Sequence, residues 1–326
     1  TVYVGGGTPS MLGAGGISRL LGGILALLPA PPLELTVEAN PESCGRDFLE
    51  ACRSAGVTRV SLGIQTFHAP SRRLVRRVGE PLPEGLAPAA ELFPGGLSVD
   101  LISGLPLQDE AALLRDIEGA LSLSPAHVSL YALTVEEDTP LADRRDSLPE
   151  PEEADRLWIL GRDRLEAAGY AQYEVSNFAL PGGESRHNMR YWRMENWLAL
   201  GPAASSTLID DETGTARRYT VKADTASWLD RDAGEGPPLD TEALDRLTLM
   251  KETLLMGFRT GEGPGAALFK RRFRRNLEEV LGRTLGRWRQ RGLLRGDRPA
   301  LNRAGLLFLD RFLLDAFEEL EALRPC

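Results

Sequence analysis

Val2-Tyr3-Val4-Gly5-Gly6-Gly7-Thr8-Pro9-Ser10 decides how the rest of the sequence is read. Three β-prone residues run directly into three glycines, which predicts a buried strand ending in a turn. Glycine lacks the Cβ that would block a close approach, and its N–H and C=O groups stay free to meet a polar ligand. A ligand-free strand-to-helix turn explains the same three glycines equally well. The two readings separate only when later strands end in polar residues that converge on one place.

The chain has 326 residues, enough for one large domain and a small one, and its 42% hydrophobic content is ample for a packed core. No apolar run reaches the ~20 residues of a membrane span, and the opening lacks the basic-then-apolar pattern of an export signal. The three cysteines, Cys44, Cys52 and Cys326, match no zinc or iron–sulfur spacing. They read as free structural thiols in a reducing compartment, the cytoplasm. The net charge of −9 disfavours general nucleic-acid binding, but residues 241–326 carry +5 and the remainder −14. That asymmetry predicts two domains with different surfaces.

Outward from the glycine turn, strands and helices alternate. Ile17–Leu28 is a helix stopped by Pro29-Ala30-Pro31-Pro32. Leu33–Val37 is a strand ending in Glu38-Ala39-Asn40-Pro41, and Asp47–Ala55 is a helix closed by Gly56. The strand Val57–Ile64 ends in Gln65-Thr66-Phe67 and leads into a basic helix, Ser71–Val78. The strand Leu97–Ser103 ends in Gly104-Leu105-Pro106, and the helix Glu110–Leu121, the strand His127–Leu133 and the helix Glu150–Ala168 follow. Such alternation predicts a parallel sheet with right-handed crossovers, whose ligands sit at the carboxyl ends of the strands. The unusual polar and Gly/Pro sequences fall at those ends, which favours a binding cleft.

From Tyr173 the alternation stops. Trp197–Gly201 and Ala216–Val221 read as strands, the second antiparallel. Asp230–Leu239 has linker composition, which gives domains 1–229 and 241–326 joined by a 230–240 linker. Thr241–Phe258 reads as an amphipathic helix. Further helices, a small hairpin around Gly-Asp-Arg-Pro and a closing helix, Ala304–Leu323, describe a winged-helix-like unit.

Five segments in order, Tyr3–Ser10, Glu38–Pro41, Gly63–Phe67, Asp100–Pro106 and His187–Trp192 (HNMRYW), resemble the radical S-adenosylmethionine (SAM) proteins of the oxygen-independent coproporphyrinogen III oxidase-like family. Within it, HN-x-x-YW is similar to the heme-chaperone branch, HemW. The resemblance implies a partial (β/α)6 barrel with SAM across its strand ends. Gly6, Gly7 and Thr8 would line the methionine part, and Glu38, Gln65, Arg77 and Asp100 would contact the rest. A sulfonium, an amino group and ribose hydroxyls favour such carboxylate and amide partners. Read alone, Glu38 is a loop carboxylate and Arg77 a solvated helix charge.

By the same resemblance His187, Asn188, Tyr191 and Trp192 would bind heme, imidazole being a common axial ligand. Read alone, His187 is a hydrogen-bonded loop histidine and the aromatics are core. Ser205 stands where the family has a second histidine, and a hydroxyl does not replace an imidazole.

Family members hold a [4Fe–4S] cluster through a CxxxCxxC-like loop that would lie upstream of Thr1. The expectation is an N-terminally truncated chain with its first barrel strand missing, the alternative being a degenerate member that has lost the loop; neither would itself cleave SAM. The implied function is a heme chaperone delivering heme to an acceptor protein. The alternatives are a coproporphyrinogen III dehydrogenase and, more remotely, a nucleic-acid binder using Lys270–Arg275.

Overall fold

The computed structural model describes residues 1–326 apart from 78, 80–82, 138, 231–235, 297 and 324–326. Cys326 and Val78 of the expected basic helix lie outside the described residues. The chain divides into two compact units, Thr1–His187 and Asn188–Cys326.

In the first unit, strands β1 (Val2–Val4), β2 (Leu35–Ala39), β3 (Arg59–Gln65), β4 (Leu97–Ser103) and β5 (His127–Ala132) pair in parallel and in sequence order. Two short strands, β6 (Ala171–Gln172) and β7 (Asn177–Ala179), complete the sheet antiparallel, in the order β1-β2-β3-β4-β5-β7-β6. Between the strands run α1 (Gly13–Ala26), α2 (Arg46–Ser54), α3 (Ala69–Leu74), α4 (Pro83–Leu92), α5 (Glu110–Ser122) and α6 (Pro151–Ala167). Strand β1 is half-buried rather than buried, because among the described strands it pairs only with β2.

The alternation of side chains along a strand sorts this sheet into two faces. Leu35, Val37, Val60, Leu62, Val99, Leu101, Val128 and Leu130 are all buried in one core with Ile17 of α1, Leu49 of α2, Ile117 of α5 and Leu157 of α6. Each fully buried aliphatic side chain contributes roughly 1.5–3 kcal/mol, so this face holds the unit together. The opposite face is polar: Thr36 and Glu38, Arg59 and Ser61, Ser98 and Asp100, His127 and Ser129 alternate with the core residues.

The basic helix expected over 71–78 stops earlier, with α3 ending at Leu74. Arg76 adopts a left-handed φ of 55°, and the N–H groups of Arg76 and Arg77 donate back to the carbonyls of Arg73 and Arg72. This is a Schellman-type stop, with arginine in the place usually taken by glycine.

Helix α7 (Arg186–Trp192) runs across the division between the units. The second unit then holds a three-stranded antiparallel sheet of β8 (Ser205–Asp210), β9 (Thr215–Val221) and β10 (Leu239–Leu244), in the order β10-β9-β8, with the short helix α8 (Thr225–Leu229) before β10. Trp197–Gly201 is not a strand; a lone bridge joins Trp197 to Thr207. The Ser206 hydroxyl takes the Ala199 N–H at 2.8 Å, replacing a ladder bond. Strand β10 lies where the sequence suggests the end of a linker and the start of a helix, and residues 231–235 of that linker lie outside the described residues. The helix begins instead at Arg246, capped by Asp245, whose carboxylate accepts from the Thr248 N–H at 2.8 Å.

Four helices follow: α9 (Arg246–Phe258), α10 (Ala266–Phe273), α11 (Leu277–Gln290) and α12 (Leu309–Glu321). Phe258 and Trp288 pack on Phe312 with ring centroids at 4.4 and 5.1 Å. A bridge between Leu294 and Leu301 forms the small hairpin between α11 and α12. The basic cluster Lys270–Arg275 is partly consumed within this unit. Arg272 is 3% exposed and pairs with Asp211 at 2.7 Å, and Arg271 pairs with the same carboxylate at 3.0 Å. Among the described residues no helix is long and apolar enough to cross a membrane.

Candidate functional site

The carboxyl ends of β1 to β4 bring most of the sequence-derived candidates together. Gly5 lies so close to its neighbours that a Cβ there would meet the Tyr3 ring at 2.7 Å and the Glu38 carboxylate at 2.9 Å. Gly6 follows with φ at 80°, and a Cβ on Gly6 or Gly7 would project into open space. The turn is thus tight on its inner side and unobstructed on its outer side, which is the form a backbone cradle takes.

Glu38 accepts a hydrogen bond from the Tyr3 hydroxyl at 2.7 Å. Burial and the charge of Glu38 hold that hydroxyl firmly protonated, so it donates. Asn40, two residues on, donates to Thr8 Oγ1 at 3.2 Å and accepts from Arg77 Nη1 at 3.2 Å. Gly63 sits between Asn40 and Gln65: a Cβ there would lie 3.3 Å from Asn40 Oδ1 and 3.2 Å from Gln65 Nε2. Gln65 itself has a φ of 67°.

Asp100, half-buried and paired in register with Gly63 and Ser129, accepts from Ser61 Oγ at 3.1 Å. Burial pushes its carboxyl up to about 6, and the Glu38 charge adds to this, while hydrogen bonds from Ser129 and Ser61 oppose it. Two acidic side chains facing one polar rim suit a ligand with cationic and hydroxyl groups. Thr8, Glu38, Gln65, Arg77 and Asp100 therefore belong to one connected rim, with Gly6 and Gly7 at its opening.

His187 packs against Tyr3. Its imidazole stacks on the Tyr3 ring with centroids 5.0 Å apart, and its Nδ1 is hydrogen-bonded to Thr1 Oγ1 at 2.9 Å. A bond at one ring nitrogen fixes the orientation of the ring, as is usual for histidines that bind metals. Its backbone is fixed by Glu34, whose carboxylate accepts from the N–H groups of Arg186 (3.1 Å) and His187 (2.8 Å) at the start of α7. Glu34 is in turn paired with Arg59 at 3.2 Å, both side chains being almost fully buried. Arg59 also donates to Ser98 Oγ at 2.8 Å and to the carbonyls of Gly183 and Glu184. Asn188, Tyr191 and Trp192 follow on the same helix, in the second unit. Tyr191 meets Trp197 edge-on at 4.9 Å. Ser205 is engaged in the sheet, its hydroxyl 3.0 Å from that of Thr220.

Glu34 and Arg59 are not among the residues the sequence points to. Their signal is the polar alternation itself, an acid and an arginine near the starts of two otherwise apolar strands.

The described residues do not fit an iron–sulfur cluster. Cys44 and Cys52 are buried free thiols whose pKa burial pushes up to about 12, and cluster iron requires thiolates. Among the described residues no group of three His, Cys, Asp or Glu side chains is placed to hold a metal ion.

No family model matches the chain. The heme chaperone HemW of Mycobacterium tuberculosis is 37% identical over 322 residues, covering 95% of this chain and 78% of that protein. The bovine mitochondrial radical S-adenosyl methionine domain-containing protein 1 is 38% identical over 277 residues, and the match spans 62% of its length. Among solved structures, the coproporphyrinogen III oxidase HemN of Escherichia coli, a radical SAM enzyme, superposes with a TM-score of 0.79 over 96% of this chain and 76% of that one. At 20% identity that likeness shows the fold.

Proposed function

This chain belongs to the HemW heme-chaperone family, and from that premise we propose that it binds SAM at the carboxyl ends of β1–β4 and carries heme to an acceptor protein. The observation that carries the SAM half is the continuous rim from Thr8 through Asn40 and Gly63 to Gln65, with Glu38 and Asp100 facing it. The residues fit the group. Gly6, Gly7 and Thr8 would hold its methionine end, Glu38 and Asp100 its cationic and hydroxyl groups, and Gln65 and Arg77 the remainder. Bound SAM supplies a sulfonium and an adenosine moiety. The chain's own part is to orient it through fixed carboxylates and backbone N–H groups.

The heme half rests on the relatives' names and on α7, where His187, Asn188, Tyr191 and Trp192 follow one another on one helix. An oriented imidazole is the side chain best suited to ligate heme iron, and aromatic rings on the same helix offer apolar faces to a porphyrin. The reduced, buried thiols suit a cytoplasmic location. Arg271 and Arg272 of the basic cluster are paired with Asp211, which leaves the nucleic-acid reading less support.

Hemin titration with the Soret band as readout tests the chaperone reading. Saturable binding is expected, with affinity falling about 10-fold or more in His187→Ala. An unchanged titration in the variant removes His187 as a ligand, and no Soret shift in the parent removes heme binding by this chain.

A further inference from the structure

Gln65 sits in strained backbone. The Thr66 N–H donates to the Ile64 carbonyl at 2.9 Å around a φ of 67°, the rare form of γ-turn with a left-handed centre. Such a conformation costs of order 1–3 kcal/mol and persists only when its surroundings over-determine it. Here the surroundings are specific. Asp116, 1% exposed in the middle of α5, accepts from Thr66 Oγ1 at 2.6 Å, from the Phe67 N–H at 2.7 Å and from Gln108 Nε2 at 3.0 Å. Gln108, itself 5% exposed, accepts from the N–H groups of Gly104 (2.8 Å) and Leu105 (3.3 Å) and donates to the Ile102 carbonyl at 3.1 Å.

One carboxylate and one amide, hydrogen-bonded to each other, thus hold the main chain of two different strand-end loops. One loop carries Gln65, and the other follows directly from the strand that carries Asp100. An irregular loop at a strand end has backbone groups that must find partners when buried, and here those partners are shared between the loops.

We propose that Asp116 and Gln108 are positioning residues for the cofactor site: they tie the β3 and β4 exit loops together so that Gln65 and Asp100 face one ligand. The proposal rests on the SAM reading above, but its structural half does not require it.

The test uses Gln108→Glu, which sets a second carboxylate against Asp116, and Asp116→Asn. It also uses the double variant Q108E/D116N, which restores an amide–carboxylate pair with the roles reversed. Amide hydrogen exchange of Phe67, Gly104 and Leu105 is followed in the ligand-free chain, and SAM affinity by calorimetry. Each single variant is expected to speed exchange at those amides about tenfold, leaving Val37 and Val99 unchanged, and to weaken SAM about tenfold, with both effects partly recovered in the double variant. Should Gln108→Glu not fold, Thr66→Val, which deletes one hydroxyl donor to Asp116, gives the same readouts. Unchanged exchange overturns the loop-tying role. Faster exchange with unchanged SAM affinity overturns the positioning role and leaves a structural one. If the parent chain binds no SAM, the SAM reading fails and the positioning role falls with it, while exchange still decides the loop tie.

Discussion

Asp100→Asn is expected to stabilise the chain while damaging its ligand site. The folded carboxyl titrates at about 6, above its ordinary 3.8, because burial and Glu38 disfavour the charged form. Between those values the folded state binds more protons than the unfolded one, so stability contributed by Asp100 falls as pH rises through this window. Above pH 6 the ionised side chain costs up to about 3 kcal/mol, which a neutral isostere removes, less any loss of the Ser61 and Ser129 bonds. His127 acts in the opposite direction. Burial and Arg59 hold its pKa at about 3, so its contribution is present above pH 6.5 and is lost as pH falls. Comparing variant with parent cancels the histidine. The difference in urea midpoint should be largest near pH 7 and vanish below pH 4. SAM affinity should fall by roughly 10- to 100-fold, the loss of one charge-assisted hydrogen bond. A variant less stable than its parent at pH 7 contradicts the account of the rim.

Arg59→Met is expected to destabilise the first unit by about 3–5 kcal/mol. The methionine approximates the volume but leaves Glu34 as a buried carboxylate with no cation. Ser98 and the carbonyls of Gly183 and Glu184 lose their donor at the same time. The double variant E34Q/R59M removes both charges and should be distinctly milder than R59M alone. Because Glu34 also accepts the N–H groups that open α7, the amides of Arg186 and His187 should exchange faster in any Glu34 variant. Chemical denaturation checks the first effect, and a loss below about 1 kcal/mol would show that this pair is not what fastens the 183–187 segment.

Much of the first unit is legible in sequence because short apolar runs are bounded by glycine, proline or polar clusters. β4 is found at the expected Leu97–Ser103, and α5 begins at the expected Glu110. The rim residues are legible because they stand at the ends of those runs. What escapes is whatever depends on distant partners. The polar face of the sheet is hidden inside runs that read as uniformly apolar, although Thr36-x-Glu38 and Ser98-x-Asp100 carry the alternation. Arg72 reads as one more charge on a basic helix. It is 1% exposed, and its guanidinium donates to the carbonyls of Ile64 (3.0 Å) and Thr66 (3.1 Å), holding the strained turn from the other side. Asp116 reads as the polar face of an amphipathic helix, since Thr66 and Phe67, which donate to it, lie some fifty residues away. Strand β10, Leu-Asp-Thr-Glu-Ala-Leu, has little intrinsic β-propensity and is a strand because β9 offers it a ladder.

The central claim is that Gly6, Glu38, Gln65 and Asp100 line one SAM pocket, and calorimetric titration of SAM into the parent chain and into Glu38→Gln tests it most directly. The account predicts saturable binding to the parent and an affinity roughly 10- to 100-fold lower in the variant, whose thermal stability changes little. Equal affinity in the two proteins would contradict it.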